Sequence, residues 1–213
     1  MPAPFPAPTL ARLARQPGPP GATARRTAAA QERCDLCAEP LPGAEHRHLL
    51  DLRGGGPACA CRACTVLFDR EAAGGGRYRL LPERRLRLDH CTIDDLLWAS
   101  LGIPVDLAFF LREGETGEVS AGYPSPLGVM RAAVHPESWQ AITAGRPDLT
   151  GMADDVEALL VNRAGTAHEH WIVPLDDCYR LAALVRTHWK GLSGGAEVRE
   201  RVGAFFTGLT GHS

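Results

Sequence analysis

Residues 34–37 read CDLC, and from Cys59 to Cys64 the chain reads CACRAC, so five of the seven cysteines fall within 31 positions. Thiolate sulfur is a preferred donor for a structural zinc ion, which takes four ligands in a tetrahedron. Two residues between cysteines let a tight turn aim both sulfurs at one ion. Cys34, Cys37, Cys61 and Cys64 give CxxC, 23 intervening residues and CxxC, a spacing close to that of a zinc ribbon. A rubredoxin-like iron site has the same ligands, but its knuckles usually carry Gly after the second Cys, where this chain has Ala38 and Thr65. One zinc ion per chain is therefore expected ahead of iron or an iron–sulfur cluster. A redox disulfide across one CxxC is the remaining alternative.

Cys59 is a fifth thiol, two residues before Cys61. It can replace Cys61 as a ligand, stand behind the ligands, take part in an iron–sulfur cluster, or fill space as a small hydrophobe, the reading preferred on its type alone. His46 and His48 share a strand face within reach of the same ion, but with four thiols available they are expected to orient its ligands by hydrogen bonds or to be simply exposed. A second HxH, His168 and His170, lies near Asp176, Asp177 and Cys178, where a hairpin edge with incidental histidines is expected rather than a metal site. Cys178 and His188 are ten apart on one predicted helix, beside Leu181 and Val185, and read as core packing. No Ser-His-Asp arrangement, Walker loop or dinucleotide fingerprint is present, and GLSGG at 191–195 reads as an interhelix turn.

These groups must be positioned by a chain of 213 residues that is 45% hydrophobic, enough for a real core. With 23 Lys+Arg against 25 Asp+Glu, the formal charge of -2 gives no bias toward nucleic acid or an anionic membrane. No run approaches the ~20 apolar residues of a membrane-spanning helix, and no apolar signal segment opens the chain. The expectation is a soluble cytoplasmic protein, a compartment in which clustered thiols stay reduced and bind metal.

The expected fold class is α+β: a small zinc-ribbon-like β-hairpin module followed by an antiparallel sheet with helices packed on one face. A disordered Pro/Ala/Arg-rich tail is expected over residues 1–30, with a helical turn around Leu10 and Leu13. The metal module spans 31–70, with HRHLLDL and ACAC as its strands and RGGGP as the turn. A connector strand spans 71–88, and its five arginines read as a solvated face.

The α+β domain covers 89–213. Thr92 and Asp95 suggest a capping box opening a helix over 93–101 that stops at Gly102. VDLAFFL and EVSAGY form one predicted hairpin, EALLVNR and EHWIVPL another. A helix carrying Trp139 lies between them, framed by Pro136 and Gly145. Asp176 is expected to cap a helix reaching about Lys190. The last helix shows an apolar stripe of Val198, Val202, Phe205, Phe206 and Leu209. Five similar positions of the two hairpins line up without gaps at an offset of 51, as either an internal duplication or shared hairpin grammar would produce. VDLAFFL is apolar on both faces, so the face away from the helices should be covered by the ribbon or by a partner protein, leaving an apolar patch beside the metal module.

Taken together, RCDLC, EHRHLLDL, CACRAC followed by LFDR, GGRYRLLP, YPSP, ALLVNR and WKGLSGG resemble an uncharacterised protein family of actinobacteria. That family is associated with gene neighbourhoods of nickel–iron hydrogenases and iron–sulfur assembly proteins. The resemblance spans about residues 33–209 and implies an accessory or maturation setting, with hydrogenase or its maturation machinery as the partner. It carries over no catalytic role. The expected function is a metal-binding accessory or interaction protein. A redox or iron-carrying protein is the alternative, and an enzyme with an unrecognised site in the C-terminal domain the third reading.

Overall fold

The computed structural model describes residues 32–41, 46–69, 75–166, 168–189 and 195–210. The tail expected before residue 31, with its Leu10–Leu13 turn, lies outside these residues, as do Lys190 and residues 191–194 of the predicted turn. Arg33–Ser213 forms one unit.

Two antiparallel sheets organise it. The smaller has the order β2-β1-β3, with β1 at Arg47–Asp51, β2 at Gly56–Ala60 and β3 at Tyr78–Leu80. The expected hairpin is present: β1 and β2 close through a turn in which Gly55 takes a φ of 71°, a conformation glycine adopts without steric cost. Helix α1, Arg62–Phe68, follows β2 directly.

The larger sheet contains β4 (Leu86–Arg87), β5 (Leu107–Arg112), β6 (Val119–Ser125), β7 (Gly128–Ala133), β8 (Glu157–Asn162) and β9 (Glu169–Pro174), in the order β4-β9-β8-β5-β6-β7. Its helices are α2 (Asp95–Ser100), α3 (Pro136–Thr143), α4 (Pro147–Thr150), α5 (Leu175–His188) and α6 (Gly195–Thr210).

The helices do not lie on one face as expected. Side chains alternate across a strand, and β5 divides accordingly. Leu107, Phe109 and Leu111 pack with Leu181 and Val185 of α5 and Val202 and Phe206 of α6. Ala108 and Phe110 pack with Trp98 of α2, Trp139 and Ile142 of α3 and Leu149 of α4. The apolar second face of VDLAFFL is thus covered by the chain's own short helices, not by the metal module or a partner. In α6 the predicted stripe is buried at Val198, Val202, Phe206 and Leu209. Phe205 is half-buried, against Phe206 and under the Arg180 guanidinium.

Other expectations need correction. The cap of α2 is Asp94, whose carboxylate accepts from the Leu97 N–H at 2.8 Å, so the helix starts later than a Thr92 box would place it. Helix α5 begins at Leu175 after Pro174 with no side-chain cap; Asp176 instead engages His48. Strand β7 is an addition to the expected sheet. Its half-exposed GVMRAA lacks alternation, but it pairs with β6 from Ser120↔Ala133 to Ser125↔Gly128. The connector arginines meet carboxylates of the chain: Arg77 bonds Asp51, Arg79 Asp155, Arg84 the buried Glu157, Arg85 the buried Asp177 and Arg87 Asp89.

The two predicted hairpins sit around the central pair β5–β8, but their gapless match fails halfway. Phe109 pairs with Gly122, whereas Leu160, 51 residues further on, pairs with Trp171 and not Val173. The second hairpin is two residues tighter. An even slip leaves each residue on its original face. The helices that follow diverge: α3 covers one face and α5 the other.

Gly122 marks the closest packing in the first hairpin. A Cβ there would lie 2.2 Å from Cζ of Phe109, inside the ring's van der Waals surface. Gly122→Ala should therefore cost about 1–3 kcal/mol through overpacking, read as a lower urea midpoint with unchanged slope.

Leu49 and Leu50 of β1 belong to different cores. Leu49 joins Cys34, Leu41, Ala60 and Cys64 in a small cluster. Leu50 joins Leu81 in the large cluster under α5 and α6.

Candidate metal centre

The first cysteine pair sits on a knuckle. The Cys34 N–H donates to Glu39 O and the Ala38 N–H to Cys34 O, both at 2.8 Å, with Ala38 at a φ of 62°. Ala38 therefore holds the left-handed backbone that Gly would supply at lower cost. The second pair differs from the expected ribbon. Cys61 is the N-cap residue of α1 and Cys64 lies in its first turn, with the Thr65 N–H donating to Cys61 O at 2.9 Å. The order is knuckle, hairpin, helix, and not a knuckle at each end of a hairpin.

Asp35 ties the two ends together. Its N–H donates to Cys59 O at 2.9 Å, and its carboxylate accepts from the Cys59 N–H at 2.7 Å. The result brings all four predicted thiols together: the sulfurs of Cys34, Cys37, Cys61 and Cys64 lie within 4.8 Å of one another, and Cys37 and Cys61 are 3.7 Å apart. None forms a disulfide. A tetrahedron with zinc–sulfur bonds of about 2.3 Å has sulfurs roughly 3.8 Å apart. The cluster can hold a metal ion.

Its electrostatics favour stepwise ionisation. Burial opposes it at Cys34, but backbone hydrogen bonds of Cys61, Leu36 and Cys37 bring that thiol down to about 6. Burial and the three neighbouring thiols push Cys64 up. A cation removes this conflict by replacing the protons.

Cys59, His46 and His48 gather as a second group, their donor atoms within 4.8 Å of one another. Cys59 faces His48 directly across the β1–β2 pair. His48 Nδ1 lies 2.6 Å from Asp176 Oδ2, and this hydrogen bond raises the His48 pKa against the effect of burial.

The other candidates separate. Cys178 is 1% exposed in the large core, and burial raises its thiol pKa well above the ordinary value. His188 Nδ1 meets Glu197 at 3.0 Å where α5 approaches α6. His168 and His170 form no group with the nearby acids or Cys178 among the described residues.

His170 is 4% exposed, and its buried Nε2 has no hydrogen-bond partner. Burial, with smaller effects of His168, Arg146 and Arg163, holds its pKa at about 4, against an ordinary 6.5. The folded state thus binds fewer protons than the unfolded state between these values. Stability is full above about pH 6.5 and falls as pH drops toward 4. At ~1.4 kcal/mol per pH unit the loss is about 3 kcal/mol. His170→Leu should flatten that part of the profile, as measured by urea denaturation from pH 7 to pH 4.

The molecule is a mixed α+β protein whose smaller sheet and first helix bring together a cluster of four cysteines able to hold a metal ion. Residues 33–213 match the family of unknown function DUF5947, and the chain belongs to that family. No curated protein and no solved structure matches it. No helix among the described residues is long and apolar enough to cross a membrane.

Proposed function

We propose that the protein is a zinc-binding accessory protein in which Cys34, Cys37, Cys61 and Cys64 hold one structural ion. The observation that carries this reading is the sulfur geometry: four thiols within 4.8 Å of one another, one pair at 3.7 Å. That spacing suits a single ion better than an iron–sulfur cluster, whose inorganic sulfides push the thiolates further apart. Zinc fits a role of fixing backbone, because it holds a closed tetrahedron without redox chemistry. Here it would fasten the knuckle to the first turn of α1, beside the small cluster of Leu41, Leu49 and Ala60.

The finer reading is of a protein that works beside a protein partner in the cytoplasm, with hydrogenase maturation as the setting. The resemblance supports that setting. Val66 and Leu67, 57% and 53% exposed on α1, support a contact surface on the helix that carries Cys64 and starts at Cys61.

Elemental analysis of the anaerobically purified full chain, together with its visible spectrum, tests the proposal. Zinc in a colourless protein is expected. Stoichiometric iron with thiolate-to-iron absorption would overturn it in favour of an electron- or iron-carrying protein.

A further inference from the structure

We propose that His46, His48 and Cys59 form a second metal site, separate from the four-cysteine cluster, that takes zinc(II) through two imidazole nitrogens and one thiolate. His46 lies just before β1 and His48 within it, two residues apart and therefore on one face. The antiparallel register sets Cys59 of β2 opposite His48, and the three donor atoms lie within 4.8 Å of one another. The imidazole rings stand edge to face, with centroids 5.0 Å apart.

Two further features fit a built site. The first is Asp176, brought from α5, 128 residues further along the chain, to 2.6 Å from His48 Nδ1. Metal-bound histidines almost always donate their other ring N–H to such an acceptor. With Nδ1–H donating to the carboxylate, Nε2 keeps its lone pair for the ion. The second is exposure. All three side chains are only partly buried, so an ion can enter, and with three protein ligands water completes the tetrahedron. Three protein ligands and an exchangeable position distinguish catalytic zinc from closed structural sites. On binding, the Cys59 thiol releases its proton to solvent as the zinc–sulfur bond forms.

The test is zinc stoichiometry of the full chain and its variants after equilibration with excess Zn2+ and removal of loose ion. Two ions are expected in the parent chain and one in Cys59→Ser or His48→Gln. Asp176→Asn, which alters no ligand, should retain the first ion and weaken the second roughly 10–100-fold. With Co2+ in place of zinc, azide should perturb the visible bands of the parent chain and leave those of Cys59→Ser unchanged. One ion in the parent chain, retained in Cys59→Ser, would overturn the second site and leave the first standing. One ion bound by the parent chain and lost in Cys59→Ser but retained in Cys37→Ser would overturn the four-cysteine assignment instead. Loss of both ions in Cys59→Ser with Asp176→Asn unaffected would place Cys59 in the first cluster and also refute the proposal.

Discussion

Cys37→Ser and Cys64→Ser are each expected to purify without the ion of the four-cysteine cluster and with the segment from Arg33 to Asp69 open to hydrogen exchange. The magnitude follows from how small the buried cluster around the thiols is. That cluster is Cys34, Leu41, Leu49, Ala60 and Cys64, so two of five members are themselves proposed ligands. Binding free energy in small zinc modules reaches about 10–16 kcal/mol and is largely folding free energy. A cavity in the large core costs far less. The two variants probe different elements, the knuckle and the first turn of α1, and should fail alike if both hold one ion. Retention of the ion in both variants would refute the assignment, and exchange protection of β5 and β8 serves as the internal control.

The second large effect is expected at Phe110→Ala. Phe110 is fully buried, its ring 6.2 Å from that of Trp98 and 6.1 Å from that of Trp139. Removing it opens a cavity where α2 and α3 meet the sheet, at a cost of about 3–5 kcal/mol, with the aromatic pairings contributing to that loss. The urea midpoint should fall while the metal content stays unchanged. A loss below about 1 kcal/mol would mean that these helices do not pack on the sheet as described.

The clustering of the four thiols is legible in the sequence because CxxC is a local signal: two thiols two residues apart need only one turn to converge. Their setting is not. CACRAC reads as a second knuckle, whereas Cys61 stands at the N-cap position of α1 without a side-chain cap and Cys64 lies in its first turn. The grouping of Cys59 with His46 and His48 is a matter of register, which neither strand shows alone. In the larger sheet, the alternation of VDLAFFL marks both faces as buried but not what covers the second. Two of the covering helices, α2 and α3, are legible as helices but not by the face they cover, and α4 has four residues, too short for an amphipathic period to stand out. Strand β7 carries no such mark because an exposed edge strand needs no apolar alternation. Asp176 reads as a cap because acidic residues favour first turns, while its actual partner, His48, lies far away in sequence.

Leu49 and Leu50 sit side by side on a five-residue strand, yet one belongs to the small cluster beside the thiols and the other to the large core. That adjacency would carry the influence of an ion held by the thiols beyond the thiols themselves. With zinc in the four-cysteine cluster as proposed, a chain short of it would be expected to loosen β1, withdraw Leu50 from the large core, and populate open forms accessible to proteases. A ligand that binds only the folded state shifts this balance by mass action, and a change of about 1–2 kcal/mol is enough to alter cellular abundance several-fold. Zinc supply would then govern how long the protein lasts as well as whether its thiols are occupied.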